Sequence, residues 1–180
     1  MENYFHAVAA SSFEACSVAM CKWRNRRFLA VAALSLAFLW AAPDAKSDVQ
    51  IAGLSDLNLG TWGGTGDLTG DIAHCVLNTV PPAKFSIDAS GDGIGGVFAL
   101  INGTSSVPMQ ISYNDGKGWA ALSPNTPLAN LKGLNSTKFT KCMNGTGAQL
   151  LIRVLVLGTD LSLVGGGSYN GAIYLNVVPQ

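Results

Sequence analysis

The chain has 180 residues, only 12% of which are charged, and its 11 basic residues balance its 11 acidic ones at pH 7. Four of the basic and three of the acidic residues precede residue 46, so a chain that starts there keeps 7 basic and 8 acidic residues. A near-neutral domain has no basic surplus to neutralise phosphates, which argues against nucleic acid as a partner.

Residues 20–45 have the pattern of a secretory signal peptide, in which a basic start precedes an apolar run and a small-residue cleavage site. The apolar run, residues 28–42, is about 15 residues long and falls short of the roughly 20 that a membrane-spanning helix needs. We expect cleavage near Ala45, although Pro43 makes the cleavage site imperfect, so an uncleaved membrane anchor remains the alternative. The basic start consists of Lys22, Arg24, Arg26 and Arg27.

Residues 1–19 stand ahead of this leader, where a signal peptide would normally have nothing. Met20 lies directly before the basic start. We therefore predict that translation starts at Met20 and that residues 1–19 are a mis-annotated extension. A precursor that still carries Glu2 or Glu14 in a mass spectrum would contradict this.

Two cysteines, Cys75 and Cys142, remain after the leader. A pair of cysteines in an exported domain most simply forms a disulfide. Two buried free thiols are the alternative. A metal site has less support, because His74 is the one other residue nearby that commonly binds zinc, and structural zinc sites usually need four protein ligands.

The first segment after the leader, residues 46–60, alternates in hydrophobicity with a period of two, as an extended strand with one apolar face does. Its apolar positions are Val49, Ile51, Leu57 and Leu59. A glycine-rich turn region follows, and residues 61–180 form the predicted main domain.

Short alternating segments recur through residues 61–180, separated by Gly, Pro and Asn turn signals. The longest apolar one, residues 148–158, is predicted to be a central strand, and the last one places Tyr169, Ile173, Leu175 and Val177 on one face. Six to eight short strands without a long amphipathic helix favour an all-β, antiparallel β-sandwich.

Catalytic chemistry is hard to assemble from the predicted mature chain, which has one histidine, His74, and no glutamate. General acid–base catalysis mostly relies on those residue types, so we expect no enzyme, no cofactor and no metal. The segment 91–96 (GDGIGG) lacks the Lys-Ser/Thr of a phosphate-binding loop and is predicted to be a turn. Trp62 and Trp119 are more readily explained as packing residues than as sugar-stacking platforms.

Several segments together resemble the spore coat protein U family, the pilin-like secreted subunits of archaic chaperone–usher systems. The resemblance covers nearly the whole predicted mature chain, and the closing Gly-x-Tyr-x-Gly followed by alternating apolar residues is its most specific element. The segments are the leader, residues 57–62 (LNLGTW), the strand with Cys75, residues 90–100 (SGDGIGGVFAL), residues 107–116 (VPMQISYNDG), Cys142, residues 148–158 (AQLLIRVLVLG) and residues 167–179 (GSYNGAIYLNVVP).

The resemblance implies an immunoglobulin-like sandwich that lacks its last strand and exposes apolar core along the gap. A periplasmic chaperone would fill the gap first, and the N-terminal strand of a like subunit would then replace it at an outer-membrane usher, giving a polymer on the cell surface. Residues 46–60 would be the donor strand, and Ile173, Leu175 and Val177 would line the core beside the gap. After leader cleavage, no membrane insertion is expected.

A self-sufficient secreted adhesive or carbohydrate-binding module is the alternative. It predicts a monomer that folds without a chaperone and exposes Trp62 or Trp119.

Overall fold

The strands of the protein form two sheets that share one core. The structure, a computed structural model, describes residues 3–9, 49–79 and 83–180. Within this part of the chain, every pairing between strands is antiparallel except one. The all-β antiparallel sandwich predicted from the sequence is confirmed.

One sheet has five strands, and all of them come from residues 49–156. In spatial order they are β2 (Val49–Ala52), β4 (Leu68–Asn78), β11 (Leu150–Val156), β8 (Gln110–Asn114) and β9 (Trp119–Leu122). The apolar strand β11 occupies the centre, as predicted, because it is paired along its length with β4 on one side and β8 on the other.

The other sheet draws on both ends of the chain. Its path in spatial order is β10 (Leu128–Lys132), β5 (Lys84–Gly91), β12 (Tyr169–Pro179), β1 (Asn3–Ala9) and β3 (Leu57–Gly60). The hairpin of β6 (Ala99–Asn102) and β7 (Ser105–Pro108) joins this sheet near the start of β12. The exceptional parallel pairing lies here, between β1 and β12.

The core lies between the two sheets and follows from the alternation in the sequence. Strand β11 alternates buried and half-buried residues along its whole length, and β12 alternates similarly through its centre. Side chains such as Ile152 and Val154 from the first sheet and Phe85, Ile87 and Ile173 from the second belong to one buried cluster. A period of two therefore directs one face of each strand into the same apolar layer.

Residues 121–140 contain two prolines and no regular alternation in the sequence, yet they form regular structure. They include β10 and the start of helix α1 (Ser136–Met143), and a second, short helix α2 (Gly158–Leu161) follows β11. Helix α1 begins where the Asn135 side chain accepts a hydrogen bond from the Lys138 backbone N–H at 2.9 Å, the usual way in which asparagine caps a helix.

The predicted leader, residues 20–45, lies outside the described residues. None of the helices that the structure does describe is both long and apolar enough to span a membrane.

Candidate functional site

The terminal strand β12 has a neighbour on each side, and the two neighbours differ in origin. On one side, β5 pairs with residues 173–179. On the other side, β1 runs parallel to residues 169–175, with Asn3 opposite Tyr169 and Ala9 opposite Leu175. Of these two neighbours, β5 lies within residues 46–180, whereas β1 comes from the predicted extension.

On the terminal strand, the residues that were predicted to line the core are buried or half-buried. Ile173 and Leu175 are buried, at 1% and 2% exposure, and Val177 is half-buried against the same cluster. Tyr169 is also buried, and its hydroxyl donates a hydrogen bond to the Gly165 carbonyl oxygen at 2.9 Å. This face of β12 is therefore core lining along the stretch that pairs with β1.

Strand β3 forms the far side of the position that β1 occupies. The strand pairing that β3 makes among the described residues is to β1, and Leu59 on β3 is buried in the core. Because neighbouring strands lie about 4.8 Å apart, a chain without β1 would separate β12 from β3 by roughly 10 Å. The result would be a gap one strand wide above Leu59, Ile173 and Leu175.

In this structure, the predicted donor residues belong to two strands of their own domain. Val49 and Ile51 lie on β2, which pairs with the end of β4 at the edge of the five-stranded sheet. Leu57 and Leu59 lie on β3, in the other sheet. Residues 49–60 thus contribute one strand to each sheet of the described sandwich. That this segment is lent to another subunit stays a prediction.

The predicted disulfide is present. Cys75 on β4 and Cys142 on α1 are joined, with their Cα atoms 6.1 Å apart, and both are buried. The bond ties the helix to the five-stranded sheet across 67 residues of sequence. It is a structural element, and it leaves neither thiol available as a nucleophile.

His74 is buried next to this disulfide. Its Nε2 lies 3.0 Å from the Tyr113 hydroxyl, and its exposure is 1%. Burial lowers the pKa of His74 to about 4, so the ring is neutral at physiological pH. Burial, with a smaller contribution from the Asp115 charge, raises the pKa of Tyr113 well above its usual range. A neutral ring without access to solvent is poorly placed to exchange protons with a substrate.

Trp62 and Trp119 differ in their surroundings. Trp62 packs against the core cluster, and its indole N–H donates to the Gly66 carbonyl oxygen at 2.8 Å. Trp119, at the edge of the five-stranded sheet, is 40% exposed, and the Arg153 guanidinium carbon lies 4.1 Å from the centre of its ring. Arg153 also donates two hydrogen bonds to the Asp71 carboxylate.

A group of lysines was not singled out from the sequence. Lys132 at the end of β10 and Lys138 and Lys141 on α1 line one cleft. The spacing of the last two, three residues apart, places them on one side of a helix, but the helix itself was not predicted. No cluster of three or more His, Cys, Asp or Glu suited to a metal ion occurs among the described residues.

The chain has a distant likeness to a solved structure. No protein-family model and no curated protein matches the chain. A solved structure described as "Chaperone-tip adhesin complex is vital for synergistic activation of CFA/I fimbriae biogenesis" is 17% identical over 74% of this chain, with a TM-score of 0.47. The chain spans 42% of the length of that protein. A likeness this distant carries no argument about function.

Proposed function

We propose that this protein is a non-enzymatic structural subunit of a bacterial surface fibre or coat, of the spore coat protein U type, and that it assembles by donor-strand exchange. The observation that supports this most is the origin of β1. The strand beside β12 consists of Asn3–Ala9, which precede the predicted leader. The mature chain would lack them in either case, because cleavage near Ala45 would remove them if translation starts at Met1, and they would not be synthesised if it starts at Met20.

The mature subunit would then carry an open position in one sheet. The exposed edge would include residues 169–175 of β12, above the core residues Ile173 and Leu175. Unpaired strand edges over apolar core pair readily with other chains, and strand addition from a partner satisfies both the backbone and the core. A periplasmic chaperone would supply that strand before assembly, and a like subunit would supply it in the fibre.

Residues 46–60 are the proposed donor. In the described domain their apolar side chains pack on or within the core, but the segment makes few strand pairings, and this supports the role. Strand β2 is an edge strand that pairs only with β4 among the described residues. The observed pairing partner of β3 is β1, which the mature chain would not have. Donation would therefore require few strand pairings to be broken.

The decisive experiment supplies the missing strand in cis. The chain starting at Met20 is exported to a bacterial periplasm without a cognate chaperone, alone or with a second copy of residues 46–60 linked after Gln180. The unmodified chain is expected to multimerise or aggregate, whereas the extended chain is expected to be a soluble monomer by size-exclusion chromatography. A soluble, stable monomer of the unmodified chain would overturn the proposal.

The matched control keeps the added segment but removes its apolar face. In this variant, the appended positions that correspond to Val49, Ile51, Leu57 and Leu59 are serine. It is expected to behave like the unmodified chain, because the gap lies over apolar core. If it were monomeric too, the extension would be acting through solubility, and residues 46–60 would not be the donor.

A self-sufficient adhesive module is the second candidate, and the exposure of Trp119 is the observation that favours it. Arg153 stacked on the ring already occupies part of the surface that a sugar would need. The same experiment separates the candidates, because this module would be monomeric without any added strand.

A further inference from the structure

A cleft of about 370 Å³ opens between the end of β10 and helix α1. This volume falls within the range typical of ligand sites. It is lined by Asp115, Lys132, Gly133, Leu134, Lys138, Lys141, Gly147 and Ala148. Three of the seven basic residues that follow residue 45 therefore meet at one place, although the chain as a whole is close to neutral.

Among the described residues, no carboxylate forms a salt bridge with any of the three lysines. The salt bridges observed within the described residues are Lys117 to Asp115 and Arg153 to Asp71. Lys132, Lys138 and Lys141 are exposed and take part in neither. Their ammonium groups therefore create a local positive potential that the net charge of the chain conceals.

Among the described residues that line the cleft, Asp115 is the one acid, and its carboxylate is already engaged. One oxygen accepts the Lys132 backbone N–H at 3.0 Å and lies 3.2 Å from the Lys117 ammonium, and the other accepts the Lys117 backbone N–H at 3.2 Å. Its side chain is only 7% exposed. Asp115 thus fixes the loop to β10 and leaves the lysine charges in the cleft available.

Both walls of the cleft are anchored to the sandwich. On one wall, the N–H of Gly133 donates to the Ala83 carbonyl oxygen and that of Leu134 donates to Val76 on β4, both at 2.8 Å. On the other wall, α1 is held to the same strand by the disulfide of Cys142. Because both walls are tied to the rest of the fold, the lysines are held near each other before any ligand arrives, which lowers the entropic cost of binding.

We propose that this cleft binds an acidic polysaccharide, with Lys132, Lys138 and Lys141 contacting its carboxylate or sulfate groups. None of the described residues that line the cleft is aromatic, so they do not supply the stacking that single-stranded nucleic acids use. Lysine is a flexible point charge and does not impose the bidentate geometry of arginine, which suits anionic groups spaced along a flexible chain. Exposed charge pairs are individually weak, so a polymer that makes several contacts is favoured over a single anion.

This site does not depend on the proposed fibre, since each subunit carries the whole cleft. The experiment measures binding of the exported protein to heparin, as the sulfated polymer, to polygalacturonate, as the carboxylated polymer, and to neutral dextran, at low ionic strength. Both acidic polymers are expected to bind and dextran is not. Each of K132Q, K138Q and K141Q is expected to weaken binding about 3-fold, and the triple variant more than about 10-fold.

R153Q is the control, because it removes one exposed basic group that is not among the described residues lining the cleft and whose guanidinium is held by the Asp71 carboxylate. It is expected to leave the affinity for both acidic polymers within error. Binding that the triple variant retains, or that R153Q weakens equally, would overturn the proposal. So would tighter binding of a single-stranded oligonucleotide or of anionic lipid vesicles through the same lysines. Circular dichroism of each variant checks that the fold is intact.

Discussion

The two sheets of this sandwich differ in how completely the predicted mature chain can build them. Every strand of the five-stranded sheet lies between residues 49 and 156, and β11 at its centre is paired on both sides. In the other sheet, the strand between β12 and β3 comes from residues 3–9. One sheet therefore takes all its strands from residues that follow the predicted leader, while the other includes a strand that precedes it.

The stabilising contacts are also distributed unequally between the two sheets. The disulfide, the buried His74–Tyr113 pair and the Arg153–Asp71 pair all involve the five-stranded sheet. In the seven-stranded sheet, the terminal strand β12 pairs instead with β1, from the other end of the chain. We infer that stability is concentrated in the first sheet so that the second can exchange a strand without unfolding the domain. The following predictions test this division, from the largest expected effect to the smallest.

The largest effect is expected from the disulfide. In the full-length chain, replacement of both Cys75 and Cys142 by alanine removes the cross-link and lengthens the accessible unfolded chain. For a loop of 67 residues, the chain-entropy model gives a loss of about 4 kcal/mol in the free energy of unfolding. Urea unfolding of the oxidised protein and of the double variant measures it. A loss below about 1 kcal/mol would show that α1 and β4 are held together mainly by other contacts.

The strands predicted from the sequence are those with a strong local pattern. Strand β11 could be predicted because it is a long apolar run, and β12 alternates so regularly that both its existence and its buried face could be predicted. The segment 107–114 alternates equally well, yet it forms two strands in different sheets, and between them the Met109 N–H donates to the Phe98 carbonyl oxygen. Burial continues with the same period through Met109, so periodicity could not reveal the change of sheet.

Other features depend on tertiary placement. Helix α1 has only eight residues, and its Asn-Ser-Thr start is as typical of a turn as of a helix cap. The cleft brings together Lys132 from β10 and two lysines from that helix, which a near-neutral composition hides. The pairing of β1 with β12 joins the two ends of the chain, and no local pattern encodes such a contact.

A matched pair of core substitutions tests the difference between the sheets directly. Ile152 on β11 and Ile173 on β12 are both 1% exposed, and replacing either by alanine in the full-length chain is expected to cost about 3 kcal/mol. In the chain starting at Met20, Ile152→Ala should cost the same but Ile173→Ala clearly less, because its surroundings become partly open to water. Urea unfolding at low protein concentration measures all four values. Equal costs for Ile173→Ala in both chains would contradict an open position beside β12.

Lowering the pH should destabilise the protein through His74, which lies in the five-stranded sheet. The folded-state pKa of His74 is about 4, against 6.5 for an unperturbed histidine, so only the unfolded state binds the proton between these values. Stability is therefore fully present above pH 6.5 and falls as the pH drops towards 4, by at most about 3 kcal/mol. Urea midpoints measured from pH 7 to pH 4 follow this loss.

His74→Phe is the control for this pH dependence. It removes the titrating ring and leaves the Tyr113 hydroxyl without its partner, so the variant should be less stable at neutral pH. Its stability should nevertheless change much less between pH 6.5 and pH 5, where few other side chains titrate. If the variant and the natural protein lost stability in parallel over this interval, His74 would not be the responsible group.

The smallest effect is expected on the outer face of the five-stranded sheet, where Arg153 joins Asp71 and Trp119. The two charged side chains are 42% and 35% exposed, so solvent screens their attraction even though the two hydrogen bonds are short. Hydrogen bonding from Arg153 lowers the pKa of Asp71, which keeps the carboxylate ionised at neutral pH.

A double-mutant cycle of Arg153→Gln and Asp71→Asn should give a coupling free energy far below the cost of Ile152→Ala, and high salt should abolish it. The fluorescence of Trp119 should change on Arg153→Gln alone, because the guanidinium no longer covers the ring. A coupling that survives high salt and rivals the core substitution would mean that surface charges also hold this sheet together, and the contrast between the sheets could not then be explained by core and disulfide alone.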